Sequence, residues 1–177
     1  MNKNKIESYS LASDSWGAEE IEAINSVIKS NRYTMGPKVK KFEEEFAQYF
    51  GTNYGIMVNS GSSANLLMIA SLFLSNEYDL NKGDEVIVPA VSWSTTYYPV
   101  SQYGLKLVFV DIDRTTLNID IDEVIKAINP KTKVIFAVNL LGNPCDFERL
   151  QSLCNEKNII LIEDNCESLG AKYKKQY

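Results

Sequence analysis

The residues best suited to binding a ligand lie at a bend, Asn-Ser-Gly-Ser-Ser at positions 59 to 63. A helical pattern follows, and the first backbone N–H groups of a helix lack partners and lie at its positive end. Gly61 would let an anion approach the backbone and Ser62 would add a hydroxyl group, so the bend could hold a phosphate. The same residues also fit an ordinary serine N-cap. The nucleotide-binding motifs GxGxxG and GxxxxGKS/T are absent.

Two further residues could contact a flat, charged ring. Trp93 stands among hydroxyl residues in SWSTT, where it could cover a planar ligand or pack against a neighbouring helix. Asp164 ends an apolar run, and a carboxylate there is costly to bury without a partner. A helix N-cap or a salt bridge would supply one, and so would the protonated ring nitrogen of pyridoxal phosphate. A phosphate cradle, an aromatic cover and a buried acid are together the contacts that this cofactor requires.

The composition excludes several other classes of protein. The 177 residues include no histidine, which removes the commonest general base and the commonest transition-metal ligand. A net charge of −5 argues against a nucleic-acid partner, and no apolar run approaches the roughly 20 residues that cross a bilayer. The N-terminus lacks the apolar region of a secretory signal. The three cysteines follow no metal or redox spacing, so we expect reduced, structural thiols and a cytoplasmic protein: Cys145, Cys154 and Cys166.

The elements that must position these residues alternate between helices and short apolar strands. The first predicted helix covers about 17–30, with Ser15 or Asp14 as its N-cap. The second covers about 37–50 and is expected to end at Gly51. Strands are then predicted at YGIMVN, EVIVP, KLVFVD, KVIFAVN and NIILIED. The helices between them are expected at about 63–74, 97–103, 121–128 and 147–156.

Nearly continuous apolar strands separated by helices are typical of a parallel sheet that is covered on both faces. We therefore predict a three-layer α/β fold in one partial domain, with N-terminal helices to about residue 51 and an α/β part from about 52 to 177. Ligands of such sheets bind beyond the carboxyl ends of the strands. Polar residues follow four of the predicted strands, which predicts a site at one rim: 59–63, 90–96, 139–144 and 163–167.

Several motifs resemble one enzyme family over about residues 11 to 171. They are TMGPKVKKFEEEFAQYFG, SGSSANLL, KGDEVIVPAVSWSTTYYPV, FVDID, NLLGNPCDF and ILIEDNCESLGA. The sequence is similar to the pyridoxal-phosphate-dependent sugar aminotransferases and dehydratases of the DegT/DnrJ/StrS type. The resemblance implies an aspartate-aminotransferase-like fold of type I. SWSTTYYP and NLLGNP look like the 3-dehydratase branch, because typical sugar aminotransferases carry a phenylalanine-rich loop and a His-Leu-Tyr-Gly-like segment.

The resemblance also implies roles for individual residues. Gly61 and Ser62 would hold the phosphate of pyridoxal 5'-phosphate or pyridoxamine 5'-phosphate. Trp93 would stack on the ring and Asp164 would pair with the ring nitrogen. Glu167 would make a polar contact near the ring hydroxyl.

The implied reaction removes the C-3 hydroxyl of a GDP-linked 4-keto-6-deoxy sugar in deoxysugar and lipopolysaccharide biosynthesis. Glutamate would regenerate the amine form of the cofactor, and the full-length enzyme would be a homodimer. A nucleotide-sugar aminotransferase is the alternative. The family's catalytic lysine or histidine is expected beyond residue 177, so no catalytic residue is expected within the chain. Three lysines near the end are expected at the surface instead: Lys172, Lys174 and Lys175.

Other functions compete with this interpretation. FVDIDRTT resembles the motif of aspartyl-phosphate phosphatases, in which Asp111 would attack, Asp113 would donate a proton and Thr115 would assist. A second possibility is an inert fragment, or a degraded relative that only binds a partner.

A basic run opens the second predicted helix with charges of the wrong sign for its dipole. Its lysines either form a solvated face or help to receive the diphosphate of a substrate: Lys38, Lys40 and Lys41.

Overall fold

The computed structural model describes residues 13–176. The N-terminal segment on which the expected absence of a secretory signal rests, and the start of the family resemblance near Leu11, lie largely outside these residues. The chain forms two compact units, of which the first ends at Met57 and the second begins at Val58. Within residues 13–176, no helix is long and apolar enough to cross a membrane.

The first unit contains two helices, α1 (Ala18–Ser30) and α2 (Pro37–Phe50). Helix α2 begins and ends as predicted, because Pro37 occupies its first turn and Gly51 adopts a left-handed conformation at φ 69°. The predicted cap of α1 was wrong. Gly17 is the N-cap residue, and its N–H donates to the Glu20 carboxylate at 2.7 Å.

The predicted strand YGIMVN is not a strand, and this prediction was wrong. A strand exists through hydrogen bonds to a neighbour, and within residues 13–176 no strand pairs with this segment. Its large side chains are exposed, with 70% of Ile56 and 45% of Met57 accessible. The N–H of Met57 donates instead to the Glu43 carboxylate at 2.9 Å.

The second unit is built on a four-stranded sheet in which every described pair of neighbours is parallel. The strands are β1 (Glu85–Pro89), β2 (Lys106–Val110), β3 (Thr132–Val138) and β4 (Ile160–Asp164), in the order β2-β1-β3-β4. The helices are α3 (Gly61–Leu74), α4 (Ser94–Gln102), α5 (Ile121–Ala127) and α6 (Phe147–Lys157). A short 3₁₀ turn, Leu140–Gly142, follows β3.

Both faces of the sheet are covered, as the apolar strands predicted. One core cluster joins alternate strand residues such as Ile87 and Ile135 to Leu150 of α6. The other joins Val88 and Phe136 to Ile69 of α3. Neighbouring strand residues point to opposite faces, and each fully buried side chain of this size contributes about 1.5–3 kcal/mol. The packed layers hold the carboxyl ends of all four strands at one edge of the sheet.

Two predicted helices begin earlier than expected. Helix α3 begins at Gly61 because the Ser60 hydroxyl accepts a hydrogen bond from the N–H of Ser63 at 3.2 Å. Helix α4 begins at Ser94, and the Thr96 N–H donates to the Trp93 carbonyl at 3.0 Å. Helix α4 follows β1 directly along the chain, so its start lies beyond the carboxyl end of that strand.

Candidate functional site

The start of α3 combines a serine cap with open donors. Ser60 caps the helix, so the expected N-cap is present. Among residues 13–176, the N–H groups of Gly61 and Ser62 and the Ser62 hydroxyl have no hydrogen-bond partner. Both residues are exposed to solvent. The helix start therefore offers an anion two amides and a hydroxyl group at the positive end of the helix dipole.

Asp164 ends β4 and is almost completely buried, with 5% of its surface exposed. Its Oδ2 accepts hydrogen bonds from Asn65 Nδ2 at 2.8 Å and from Thr96 Oγ1 at 3.3 Å. Its Oδ1 accepts from the N–H of Cys166 at 3.1 Å. Within residues 13–176, none of the ion pairs includes Asp164. The salt-bridge interpretation of this residue is therefore not observed, and the carboxylate keeps room for a further donor or a cation.

These contacts bring the start of α3 and the end of β4 together. Asn65 lies one helical turn after Gly61, and a Cβ atom added at Gly61 would lie 3.8 Å from the Cβ of Cys166. The open amides of α3 and the buried carboxylate thus belong to one site.

Trp93 lies in the loop between β1 and α4, and 65% of its surface is exposed. The alternative in which it packs into a neighbouring helix is therefore not observed. Thr96, three residues later, bonds to Asp164 and also exchanges a hydrogen bond of 3.0 Å with Ser92. The loop that presents the indole is thereby tied to the end of β4.

Asn139 organises the segment that leaves β4. It is 2% exposed, and its Nδ2 lies 2.7 Å from both Glu163 Oε1 and Asn165 Oδ1. Its Oδ1 accepts from the N–H of Cys145 at 2.9 Å. One side chain therefore holds the residues before and after Asp164 in place.

Glu167 is exposed and bonds to the loop that follows β3. Its Oε2 accepts from the N–H of Leu141 at 2.6 Å. Leu141 adopts φ 54° and Gly142 adopts φ 82°, both in the left-handed region. Asn118 supports the same loop, because it accepts from the Leu140 N–H at 3.2 Å and donates to the Asn143 carbonyl at 3.0 Å.

The cysteines divide into two kinds. Cys145 and Cys154 are buried, as expected of structural thiols, and burial raises their pKa values to about 12 and about 11. Cys166 is exposed at the site, so it is not a core residue. Partial desolvation and the nearby Asp164 charge raise its pKa to about 11, and the thiol is therefore protonated at neutral pH.

The remaining predicted residues lie outside this constellation. Lys172, Lys174 and Lys175 are exposed, as expected, and Lys174 pairs with Glu148. Lys40 and Lys41 form exposed pairs along α2, at 3.7 Å from Glu44 and 3.6 Å from Glu45. Their positions fit a solvated face.

Sequence reasoning missed the buried partners of Asp164, which are Asn65 and Thr96. Asn65 carried a weak signal, since it is the one strongly polar residue in the run ANLLMIA. Thr96 was included only as one of the polar residues at 90–96, because its neighbours are hydroxyl residues too. Asn139 was recognised only as one of several polar residues after a strand.

A covered parallel sheet with polar groups collected at its carboxyl edge defines an α/β ligand-binding domain. The chain belongs to the DegT/DnrJ/EryC1/StrS aminotransferase family, whose model matches residues 14–177. Its solved structural relatives are aminotransferase-like enzymes of fold type I, so the predicted fold class is confirmed.

Among its relatives is the GDP-4-keto-6-deoxy-D-mannose 3-dehydratase of Yersinia pseudotuberculosis, to which it is 57% identical over 93% of this chain and 42% of that protein. A structure of a dehydratase of this name holds a trapped PLP-glutamate geminal diamine, at 54% identity and a TM-score of 0.92. A His-to-Asn variant holds bound GDP-perosamine, at 54% identity and a TM-score of 0.91. Both structures match 96% of this chain and 44% of theirs.

The chain thus spans less than half the length of these relatives. Since it contains no histidine, the histidine replaced in that variant has no identical counterpart among its 177 residues.

Proposed function

We propose that this chain binds pyridoxal 5'-phosphate or pyridoxamine 5'-phosphate as part of a nucleotide-sugar enzyme. The main support is Asp164, a buried carboxylate without a cation in the described part of the chain, hydrogen-bonded to the helix whose first amides are open. A protonated pyridine nitrogen and a phosphate would satisfy these two features together.

The start of α3 would hold the phosphate. Gly61 and Ser62 would donate backbone N–H groups, and the Ser62 hydroxyl would add a third hydrogen bond. A glycine at this position keeps side-chain atoms away from the approaching anion.

The end of β4 would hold the ring nitrogen. Asp164 would accept a hydrogen bond from the ring N–H and so keep the nitrogen protonated, and a protonated ring of this kind would stabilise a carbanion of the substrate. Burial strengthens this charge interaction, because a low-dielectric surrounding screens it less than water does.

Two exposed residues would contribute from the rim. Trp93 would cover one face of the ring and exclude water from it. Glu167 would make the polar contact near the ring hydroxyl while it keeps its bond to Leu141.

We infer that the whole enzyme removes the C-3 hydroxyl of a GDP-linked 4-keto-6-deoxy sugar, with glutamate as the amino donor. Support comes from the dehydratase relatives and from the GDP-sugar and PLP-glutamate adduct that two of them hold. Transamination of a nucleotide sugar is the second candidate, which the family description favours. A homodimer stays a prediction of the resemblance, and a cytoplasmic location stays a prediction from the cysteine pattern.

The isolated chain should bind the cofactor without turning over a sugar. It contains no histidine, and the three lysines near its end face solvent. Mass spectrometry of GDP-4-keto-6-deoxymannose incubated with the chain, cofactor and glutamate would test this. A product that has lost the C-3 hydroxyl would show that the chain is an active dehydratase, and a 4-amino sugar would show transamination.

Binding itself is tested best with pyridoxamine 5'-phosphate, which has no aldehyde and cannot label surface lysines. The chain has two tryptophans, so a Trp16→Phe background leaves Trp93 as the only indole. We expect saturable quenching of its fluorescence, confirmed by equilibrium dialysis. Pyridoxamine without the phosphate should bind far more weakly.

A matched pair of serine variants locates the phosphate. Ser62→Ala should weaken binding about tenfold, as for loss of a hydrogen bond to a charged group. Ser71→Ala, further along the same helix, should not. Absence of quenching and of dialysis binding in the parent chain would contradict the proposal.

A further inference from the structure

We propose that Asn65 is a positioning residue, which fixes the carboxylate of Asp164 to the same helix that receives the cofactor phosphate. This inference rests on the proposed function, and it assigns a role to a residue that would not itself contact the cofactor. The juxtaposition behind it is the 2.8 Å hydrogen bond from Asn65 Nδ2 to Asp164 Oδ2, inside the core at the end of β4.

The burial of Asn65 is the first argument. Only 4% of the residue is exposed, on a helix whose buried side otherwise packs Ile69 into an apolar cluster. Burying an amide costs free energy unless it is hydrogen-bonded. Asn65 recovers that cost through Asp164 and through a longer bond of 3.4 Å to the Thr95 carbonyl.

The position of Asn65 along α3 is the second argument. Gly61 and Asn65 are four residues apart, which is about 6 Å along a helix axis. One rigid turn therefore presents open amides at its start and an amide donor to Asp164 at its end. The site of the phosphate and the partner of the ring nitrogen are fixed relative to each other by this turn.

A second donor acts on the same oxygen. Thr96, which is 1% exposed, donates to Asp164 Oδ2 from the first turn of α4 at 3.3 Å. The Cys166 N–H donates to Oδ1. A carboxylate has about four acceptor positions, so these three donors leave one for the ring nitrogen. Without Asn65, Oδ2 loses its shortest hydrogen bond, and only the longer bonds from Thr96 and the Cys166 N–H orient the carboxylate toward the ring.

A purely structural role predicts something different. If Asn65 only relieved the burial of Asp164, its loss would loosen the site for every ligand to the same extent. If it positions Asp164 against the ring nitrogen, its loss should matter only for ligands that have that nitrogen. Two ligands that differ at this single atom therefore separate the two roles.

The experiment compares pyridoxamine 5'-phosphate with its 1-deaza analogue, in which C–H replaces the ring nitrogen. Dissociation constants come from Trp93 fluorescence and from dialysis, in the Trp16→Phe background. Asn65→Ala should weaken binding of pyridoxamine 5'-phosphate about tenfold and leave that of the analogue within about twofold of the parent chain. Asn155→Ala, an exposed asparagine on α6, controls for removal of a helical asparagine.

A double-mutant cycle tests whether the effect passes through Asp164. In an Asp164→Ala background, Asn65→Ala should cause no further loss for either ligand, because the carboxylate it positions is gone. Circular dichroism and the thermal midpoint check that each variant is folded. Should Asn65→Ala fail to fold, Thr96→Val removes the other donor with little change of shape, and it should weaken only pyridoxamine 5'-phosphate, by about threefold.

The outcomes separate the two proposals. Equal weakening of both ligands, or binding of both by Asn65→Ala as in the parent chain, would overturn the positioning role while the proposed function stands. A parent chain that binds neither ligand would overturn the proposed function and this inference with it.

Discussion

Two aspartates that accept several hydrogen bonds lie at or just after the carboxyl ends of β2 and β4, and their surroundings are built in different ways. Asp113, after β2, accepts on Oδ1 from the N–H and hydroxyl groups of Thr115 and Thr116, which lie two and three residues later in the sequence. Asp164, at the end of β4, bonds to Asn65 and Thr96, which lie 99 and 68 residues away in the sequence.

This difference in surroundings decides which ligand or chemical role each carboxylate suits. The local turn around Asp113 lowers the pKa of its carboxyl group to about 2, chiefly through the Thr115 hydroxyl. A low pKa favours the ionised form of Asp113, which does not support the proton-donor role that the phosphatase interpretation of FVDIDRTT gives it. Asp164 is instead buried among donors from two helices, an arrangement that suits a cationic ligand.

The largest expected difference between the two aspartates is in cofactor affinity. Asp164→Ala should weaken binding of pyridoxamine 5'-phosphate by about 10- to 100-fold, because a charged hydrogen bond to the ring is lost. Asp113→Ala should leave the dissociation constant unchanged, since its turn lies after another strand. Dialysis of both variants against the parent chain measures this. Similar losses of affinity in the two variants would contradict the claim that only Asp164 contacts the cofactor.

The next largest effect should be on the free energy of unfolding, through the hydrogen bonds of Asn139 at the end of β4. Asn139→Ala removes the bonds on both sides of Asp164 and leaves the Cys145 N–H without its acceptor, so we expect about 2 kcal/mol less unfolding free energy. Urea unfolding followed by circular dichroism measures it. Asn76→Ala, at an exposed asparagine, is the matched control and should cost little. Equal midpoints for the two variants would show that the Asn139 network adds no stability.

The smallest effect should be on the titration of Asp113. Its folded pKa of about 2 lies below the ordinary 3.8, so ionisation favours the folded state. This stabilisation is complete above about pH 4 and is lost as the pH falls through about 2. Carboxyl NMR titration should show the pKa rise in Thr115→Val, and rise less in Thr116→Val, because the Thr115 hydroxyl is the main cause and the Thr116 hydroxyl the least. An unchanged pKa of Asp113 in Thr115→Val would contradict the claim that the Thr115 hydroxyl is the main cause of its low pKa.

Much of the fold followed from local pattern. Helix α2 was predicted at both ends because Pro37 and Gly51 restrict the backbone themselves. Four of five predicted strands were confirmed. YGIMVN failed because pairing, which it lacks within the described residues, cannot be read from one segment. Most residues proposed to touch the cofactor were chosen from unusual local composition, and Glu167 was chosen from the family resemblance. Asn65 and Thr96 were not chosen, because their role depends on the distant Asp164.

The sequence by itself determined the six helices of the described residues approximately and four of the five predicted strands, because propensity, capping and apolar periodicity act over a few residues. It also determined the family, through motifs spread over most of the chain. Only the tertiary structure decided which polar side chains share the end of β4. Which of these side chains form hydrogen bonds with each other depends on how the helices and the sheet pack around a common core. The hydrogen bond of under 3 Å between residues 65 and 164 joins distant parts of the sequence, so no local pattern predicts it.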